Sequence, residues 1–350
     1  MNAVSPTATT ALRHTTALAS LLFDHGDLLS RVEARMVELA GDRLVDPGAR
    51  MVQEHLRTGG KRLRARLALA ACEALGGQGE DAVDWAAAVE LLHNASLIHD
   101  DIQDGDRTRR GQPALWTKYG AAQAINTGDL LLMLPFRALG CYPVEAQAAL
   151  TQILAEYAES TVRGQIRELA LSASPSRGWG DYFDAVAGKT GTLFALPVRG
   201  AAELAGLMPA QASELASVLS SIGVLYQLQD DLLDLYDAKG RGERGSDIYE
   251  GRLSAVVLTH IDLYPNDGPE LFAVLEKPRA ETTREEVERM MTRFVEGGAT
   301  MQLLGRIELL ANQLLASEAL DYSPGIHEVA RQLVGRVLAP LEVVKGSHHE

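Results

Sequence analysis

Two acidic segments carry the side chains with the clearest chemical potential in this sequence. Residues 100–104 (DDIQD) and 230–234 (DDLLD) both place aspartate at their first, second and fifth positions. On a helix, the first and fifth positions lie one above the other on one face, so each segment presents two carboxylates about one turn apart. Both segments lie in apolar stretches, where uncompensated charge is costly. Two such faces opposite each other would form an acidic cleft that needs cations, and hard oxygen ligands suit Mg²⁺.

Basic clusters accompany the acidic segments. Residues 105–111 (GDRTRRG) follow the first segment, residues 59–66 (GGKRLRAR) precede it, and residues 239–247 (KGRGERGSD) follow the second. Carboxylates that bind Mg²⁺ beside arginines that fork onto anionic oxygens form a diphosphate clamp. Each cluster taken alone also fits a salt-bridged helix surface or a charged connector.

Other catalytic classes find little support in the sequence. Glu90 and His93 match one Glu-x-x-His element of di-iron bundles, but that site needs a second element and the sequence contains none. There is no Gly-x-Ser-x-Gly motif, no Cys/His pairing and no dinucleotide-binding glycine fingerprint.

Helices must position these segments. Hydrophobic residues make up 46% of the chain and aromatic residues only 5%, a mixture that favours helices over sheets. Glycine and proline divide the chain into helix-length pieces, and the piece from Pro209 to about Tyr236 predicts a helix of about 40 Å. Strand alternation and long polar linkers are absent. We therefore predict a single all-α bundle over residues 21–345, preceded by a flexible lead-in over residues 1–20.

The net charge and the two cysteines bear on the binding partners and the cellular compartment of the protein. A net charge of -14 argues against nonspecific binding to nucleic acid or anionic membranes. No stretch approaches the roughly 20 apolar residues of a membrane span, and the first residues lack a signal-peptide pattern. Cys72 and Cys141 are far apart and fit no metal or redox spacing. We predict that both are reduced, buried thiols of a cytoplasmic protein.

In their order along the chain, these motifs resemble those of the all-trans isoprenyl diphosphate synthases, most closely the geranylgeranyl and farnesyl diphosphate synthases. The resemblance runs from about Gly59 to Ser254 and rests on residues 97–104 (LIHDDIQD), 109–111 (RRG) and 226–234 (YQLQDDLLD). It implies a large helical bundle of the isoprenoid synthase type with a central active-site cavity, assembled as a homodimer. It also implies Mg²⁺-dependent head-to-tail condensation of isopentenyl diphosphate with dimethylallyl, geranyl or farnesyl diphosphate.

The resemblance implies a role for each matching residue, with three Mg²⁺ ions holding the allylic diphosphate. The implied metal ligands are Asp100, Asp104 and Asp230, supported by Asp101, Asp231 and Asp234. The implied contacts to the allylic diphosphate are Arg109, Lys189 and a basic residue after the second acidic segment. The implied contacts to isopentenyl diphosphate are Gly60, Lys61, Arg64, His93 and Arg110. The polar positions implied to line the reacting centre are Lys189, Thr190 and Gln227.

The sequence also departs from the family pattern. Ala65 stands where proline is usual, and Gly242 stands where lysine is usual. A later lysine is replaced by Arg252, which keeps the charge but not the geometry. The contact to diphosphate after the second acidic segment therefore stays open among Lys239, Arg241 and Arg244.

Product length is predicted from the residues just before the first acidic segment. In the resembled family, bulky residues four and five positions before the first aspartate commonly stop growth at fifteen carbons. Here those positions are Ser96 and Ala95. We predict a product of at least twenty carbons, with geranylgeranyl diphosphate first, while farnesyl and longer products stay open because facing helices can close the tunnel.

Two other functional classes stay in competition. The first is a noncatalytic partner subunit that modulates a related synthase, although such partners often lose the acidic motifs. The second is a terpene cyclase, although such cyclases usually pair one acidic motif with an Asn/Ser/Glu metal motif. This chain instead repeats the aspartate-rich segment.

Overall fold

A computed structural model describes residues 22, 24–171, 177–236 and 244–346. Over these residues the chain is almost entirely α-helical, which confirms the predicted all-α class. The helices are α1 (Gly26–Ala40), α2 (Pro47–Leu56), α3 (Leu63–Ala74), α4 (Val83–Gln103), α5 (Leu115–Tyr119), α6 (Ala121–Ala138), α7 (Val144–Leu171), α8 (Trp179–Val186), α9 (Thr192–Leu204), α10 (Pro209–Leu233), α11 (Ser246–Tyr249), α12 (Ala255–Leu263), α13 (Gly268–Leu275), α14 (Arg284–Glu296), α15 (Ala299–Leu315), α16 (Pro324–Leu338) and α17 (Glu342–Gly346).

Proline and aspartate set several helix starts. Pro47, Pro209 and Pro324 occupy the first positions of α2, α10 and α16, where the missing N–H would have no helical partner. Asp46 caps α2 by accepting a hydrogen bond from the backbone N–H of Gly48 at 2.8 Å. The predicted long helix is confirmed: α10 ends at Leu233 and continues as a 3₁₀ turn over Asp234–Tyr236.

A short hairpin follows α4. Strands β1 (Thr108–Arg109) and β2 (Gln112–Pro113) pair antiparallel, with Arg109 opposite Gln112. The connecting residues Arg110 and Gly111 both have positive φ, 54° and 75°, as a two-residue type I′ turn requires. The sequence predicted only a loop here, because such turns usually carry Asn-Gly or Asp-Gly.

The chain folds into two compact units. Among the described residues, the first comprises those from 22 to 156 together with 196–216 and 318–332. Helix α4 makes the most extensive helix contacts in it. Helix α4 is buried along most of its length and packs against α6, α1 and α3. Its Trp85 is fully buried, and the indole N–H donates to the carbonyl oxygen of Pro197 at 2.9 Å.

The second unit comprises the described residues within 157–195, 217–317 and 333–346. Helix α12 packs against α15 and α14 in this unit, and its residues Ala255 to His260 are all buried. Phe294 of α14 and Leu303 of α15 complete this apolar contact, each about 1% exposed or less. The burial of these apolar side chains supplies the main stabilisation of the unit.

The two cysteines differ in environment. Both are free thiols, and Cys72 is buried as predicted, but Cys141 is exposed because it ends the surface 3₁₀ turn Leu139–Cys141. The prediction of two buried thiols is therefore wrong for Cys141. Among the described helices, none combines the length and hydropathy needed to span a bilayer. The lead-in over residues 1–20 lies outside the described residues, and the predicted domain limits stay a prediction.

Because α9 packs closely against Trp85, adding one methyl group at this contact should lower the stability of the fold. A Cβ at Gly200 would overlap the Trp85 indole ring, so Gly200→Ala forces the ring or α9 to move. We expect the free energy of unfolding to fall by about 1–3 kcal/mol. Gly335→Ala is the matched control, because no neighbouring element lies within 4 Å of the methyl group that it adds to a helix. Equal urea midpoints for the two variants would contradict this packing.

Candidate active site

The first acidic segment lies at the end of α4. Helical geometry extends to Asp104, whose N–H donates to the carbonyl oxygen of Asp100 at 2.8 Å, so these two residues are one turn apart as predicted. Asp100 and Asp104 are half-buried, whereas Asp101 is only 2% exposed. The segment therefore divides into two partly accessible carboxylates and one enclosed carboxylate.

Asp101 is held by the hairpin that follows α4. Arg109 of β1 donates from Nε to Asp101 Oδ1 at 2.7 Å and also from Nη2 to the same oxygen. Burial raises the pKa of Asp101, and the Arg109 guanidinium opposes that rise. Arg109, predicted to contact diphosphate, thus contacts an aspartate of the acidic segment in this structure.

The second acidic segment shows the same division at the end of α10. Asp230 is half-buried, but Asp231 and Asp234 are each 4% exposed. Asp231 accepts hydrogen bonds from the Tyr182 hydroxyl at 2.7 Å, from Gln227 Nε2 at 2.8 Å and from the Ala255 backbone N–H at 2.7 Å. Burial, followed by the Asp231 charge, raises the pKa of Tyr182 well above its usual value, so its hydroxyl stays a donor.

Asp234 is enclosed by the start of α11. Its carboxylate accepts from the Ser246 hydroxyl at 2.6 Å and from the backbone N–H of Asp247 at 3.1 Å. The Asp234 carbonyl also accepts from Gly245 N–H at 3.0 Å. These bonds fix the chain just after the glycine-rich loop. Three residues considered for that loop, Lys239, Arg241 and Gly242, lie outside the described residues.

The basic cluster before α3 depends on two glycines. Gly59 and Gly60 have φ of 79° and 135°, which favours glycine. A Cβ at Gly60 would lie 2.6 Å from Arg110 Nη1, and that guanidinium donates to the Gly59 carbonyl. Gly60 therefore leaves the space in which Arg110 lies. Lys61 follows as an exposed side chain.

His93 and Arg64 form a second basic contact. The two side chains are 3.0 Å apart, from Arg64 Nη1 to His93 Nε2. Burial lowers the pKa of His93 well below its usual value, and the charges of Arg64 and Arg110 add to that effect. The neutral ring therefore accepts from Arg64, and its buried Nδ1 has no hydrogen-bond partner among the described residues. The structure thus brings these two predicted residues together.

Lys189 lies in a π-helical turn, Ala187–Gly191, between α8 and α9. A Cβ at Gly164 of α7 would overlap the Lys189 backbone nitrogen, so this glycine lets α7 contact the turn. The Lys189 ammonium pairs with Glu168, also on α7. Thr190 donates to Gln227 Oε1 at 3.2 Å, and Gln227 in turn donates to an aspartate of the second segment.

Two further predicted residues have local partners. Arg252 Nε lies 2.9 Å from a carboxylate oxygen of Glu250, and Arg244 Nε donates to the Leu235 carbonyl at 2.9 Å. Ala95 is fully buried on α4. Ser96 is half-buried, and its hydroxyl donates to the His93 carbonyl at 2.8 Å within the same helix.

Sequence reasoning missed the partners of Asp231, Asp234 and Lys189. Tyr182, Ser246 and Glu168 each lie more than ten residues from the group they contact. Contacts at such separations leave no periodic pattern in a single sequence. The sequence does indicate that a carboxylate within an apolar helix requires hydrogen-bond donors, but it does not indicate which residues supply them.

The accessible carboxylates suit a hard divalent cation. Asp100 and Asp104 offer oxygen donors one turn apart, and Mg²⁺ typically binds through one or two carboxylates plus water and phosphate oxygens. Within the described residues, no group of three or more His, Cys, Asp or Glu side chains is close enough to hold a metal ion. The donor chemistry of each acidic segment therefore fits Mg²⁺ with additional ligands from outside the protein.

The described residues form an almost wholly helical fold with an aspartate-rich segment at the end of each of two long helices. The chain matches the family model described as polyprenyl synthetase over residues 48–293. It is 35% identical over 215 residues to the short chain isoprenyl diphosphate synthase of Methanothermobacter thermautotrophicus, covering 60% of this chain and 66% of that protein. It is 31% identical over 321 residues to the geranylgeranyl pyrophosphate synthase of Geoglobus acetivorans, covering 89% and 97%.

A solved structure of a polyprenyl synthase is also similar to this chain. The polyprenyl synthase from Caulobacter crescentus, crystallised with calcium and isoprenyl diphosphate, has a TM-score of 0.80 and 25% identity, covering 92% of this chain and 97% of that one. The chain spans just under two thirds of the first relative and nearly all of the second. It belongs to the polyprenyl synthetase family, a divalent-metal-dependent family of prenyltransferases. The predicted family and enzyme class are confirmed.

Burial of a second histidine predicts how stability depends on pH. His55 Nε2 lies 3.1 Å from Asn94 Oδ1, and burial, helped by the Arg109 and Arg110 charges, lowers the pKa of His55 from 6.5 to about 3. Below about pH 6.5 the unfolded chain binds a proton that the folded chain does not. The free energy of unfolding should therefore fall on acidification, with His55 contributing up to about 1.4 kcal/mol per pH unit.

The measurement is urea unfolding of wild type and His55→Gln between pH 7.5 and 4.5. Glutamine does not titrate, so the variant should show a shallower loss of stability below pH 6.5. Carboxylates contribute equally to both proteins, so the difference between the two slopes isolates His55. Parallel slopes would contradict a neutral buried imidazole.

Proposed function

We propose that this chain condenses isopentenyl diphosphate with an allylic diphosphate, head to tail and all-trans, giving geranylgeranyl diphosphate. One observation carries the proposal: each acidic segment divides into enclosed and accessible carboxylates. Asp101, Asp231 and Asp234 are each 2–4% exposed, while Asp100, Asp104 and Asp230 are half-buried and can be reached from solvent. The enclosed carboxylates match the proposed supporting residues, and the half-buried carboxylates match the proposed metal ligands.

The reaction is an ionisation followed by an alkylation. The allylic C–O bond breaks and its electron pair leaves with diphosphate. The double bond of isopentenyl diphosphate then attacks the allylic cation, and the new C–C bond forms. Loss of a proton from the resulting cation to the released diphosphate restores a double bond. Asp100, Asp104 and Asp230 would hold Mg²⁺, which when bound would neutralise charge on the leaving diphosphate.

The proposal assigns the basic residues to two diphosphates. Arg109, Lys189 and Arg252 or another basic residue of the following loop would contact the allylic diphosphate. Gly60, Lys61, Arg64, His93 and Arg110 would bind isopentenyl diphosphate. Support comes from the contacts among these residues: Gly60 accommodates the Arg110 guanidinium, and neutral His93 accepts from Arg64. A neutral ring keeps Arg64 oriented without adding a positive charge that would need its own solvation.

Thr190 and Gln227 are assigned to the reacting centre. Their hydrogen bond joins the π-helical turn that carries Lys189 to the helix that carries the second acidic segment. Polar side chains with satisfied hydrogen bonds can border a carbocation without acting as nucleophiles. A count of three Mg²⁺ ions, the homodimer and the choice among dimethylallyl, geranyl and farnesyl starters are parts of the same proposal.

Relatives named geranylgeranyl diphosphate synthase support the twenty-carbon product, as do the small residues on α4. Ala95 and Ser96 offer little bulk, and the Ser96 hydroxyl is satisfied within its own helix. Farnesyl and longer polyprenyl diphosphates are the alternative products.

The first test separates the enzyme from its competitors. Purified protein with Mg²⁺, isopentenyl diphosphate and each starter of five, ten or fifteen carbons should release diphosphate and yield a linear prenyl diphosphate. Asp100→Asn should lower kcat/KM by more than about 100-fold, because it removes a metal ligand rather than an outer partner. Asp84→Asn, on the same helix and paired with Arg35, is the control and should leave the rate unchanged.

Three outcomes would contradict the proposal. Absence of diphosphate release with every starter would exclude a synthase acting alone. Activity that emerges only on mixing with a related synthase would indicate a partner subunit. A cyclised hydrocarbon would indicate a terpene cyclase.

The second test concerns product length. Ala95→Phe combined with Ser96→Phe should shorten the product to fifteen carbons or fewer, because two phenyl rings would fill the space in which the chain elongates. Ser96→Ala, which keeps a small side chain, should leave the product unchanged. Chromatographic sizing of the dephosphorylated products checks both variants. An unchanged product from the double phenylalanine variant would place the tunnel elsewhere.

A further inference from the structure

A buried tyrosine contacts the second acidic segment. The Tyr182 side chain is 2% exposed, and its hydroxyl donates to Asp231 Oδ2 at 2.7 Å. Asp231 is itself 4% exposed. Charge-assisted hydrogen bonds between enclosed groups are stronger and more directional than surface contacts. The contact therefore fixes the orientation of this carboxylate rather than merely touching it.

The other donors to Asp231 show what the tyrosine adds. The Ala255 N–H shares Oδ2 with Tyr182, while Gln227 Nε2 donates to Oδ1 at 2.8 Å. The Gln227 side chain also accepts from Thr190, so its position depends on a second contact. Tyr182 links Asp231 to a different helix, α8, and thus defines the plane of the carboxylate independently of Gln227.

Helix α8 is itself anchored to α12 and α15 through Trp179, three residues before Tyr182. The Trp179 indole N–H donates to Asp262 of α12 at 2.9 Å, and its ring stacks on Phe183 with centroids 5.3 Å apart. The guanidinium of Arg306, from α15, lies 5.1 Å from the Trp179 ring centroid. These contacts restrict the rotation of α8, so the hydroxyl of Tyr182 has a defined position.

We propose that Tyr182 is a positioning residue for the second acidic segment. By holding Asp231, it fixes the end of α10 and so sets the direction of the neighbouring Asp230 carboxylate toward Mg²⁺ and the allylic diphosphate. This inference rests on the proposed function, which places Asp230 among the metal ligands. Donors that orient the groups around a metal typically change metal affinity or activity by about 10- to 100-fold when they are removed.

The test compares Tyr182→Phe with Tyr322→Phe. The first variant keeps the ring packed against Trp179 and Phe183 and removes only the hydroxyl. The second removes the same kind of bond, from the Tyr322 hydroxyl to Glu214 at 2.6 Å, at an exposed position. Calorimetric titration with Mg²⁺ and inorganic diphosphate should show about 10- to 100-fold weaker binding for Tyr182→Phe and no change for Tyr322→Phe.

Steady-state kinetics supply a second measurement, a selective change in one KM, that a general loss of stability would not produce. For Tyr182→Phe we expect a higher Mg²⁺ requirement and a higher KM for the allylic diphosphate, with the KM for isopentenyl diphosphate unchanged. In an Asp231→Asn background, removal of the hydroxyl should add little further loss, because both changes break the same interaction. The melting temperature of each variant is measured alongside, so that a loss of binding caused by misfolding is recognised.

Two failures are distinguishable. A wild-type protein that releases no diphosphate would overturn the proposed function. An active wild type whose Mg²⁺ affinity and allylic KM survive Tyr182→Phe, or losses that add fully to those of Asp231→Asn, would overturn the positioning role alone. Equal increases in both substrate KM values would also overturn it.

Discussion

Enclosed carboxylates impose the constraint on which each acidic segment depends. A carboxylate removed from water costs several kcal/mol unless donors surround it. Asp101, Asp231 and Asp234 are each 2–4% exposed, and each takes at least one donor from another segment of the chain. Satisfying these charges fixes the hairpin after α4, helix α8 and the start of α11. Because the same hairpin carries Arg110 and helix α8 leads directly to Lys189, the buried acids also determine where the basic groups lie.

Glycines complete this arrangement by letting backbones approach. A Cβ at Gly223 of α10 would lie 2.7 Å from the Cα of Gly191, so the two chain segments meet without side chains between them. Thr190 precedes one of these glycines, and Gln227 lies one turn after the other. Their hydrogen bond at 3.2 Å follows from that contact. Overpacking at such a contact typically costs about 1–3 kcal/mol, since no flexible side chain can yield.

Periodicity and spacing were sufficient to predict the parts that depend on local sequence. The helical class, the long helix from Pro209 and the placement of Asp100 and Asp104 one turn apart all follow from short-range geometry. The sequence did not predict which segment supplies each donor, because Tyr182 lies 49 residues from Asp231 and only tertiary packing joins them. The exposure of Cys141 was missed for a related reason. Thiols are usually buried, but Cys141 is exposed because it lies in a surface turn.

Backbone conformation around the basic cluster shows how this part of the chain is organised before any substrate binds. Arg62 and Arg110 have φ of 47° and 54°, a region that costs a non-glycine residue about 1–3 kcal/mol. Such conformations persist only where surrounding contacts determine them. Arg62 is 6% exposed and donates to a carboxylate and to backbone carbonyls, and Arg110 donates to the Gly59 carbonyl. Existing contacts therefore hold the segment from Gly59 to Arg62, in which Lys61 is exposed. Under the proposed function, a diphosphate that binds there would not need to order this segment. Because ordering a flexible segment on binding lowers affinity, a segment already held by the protein would favour tight diphosphate binding under the proposed function.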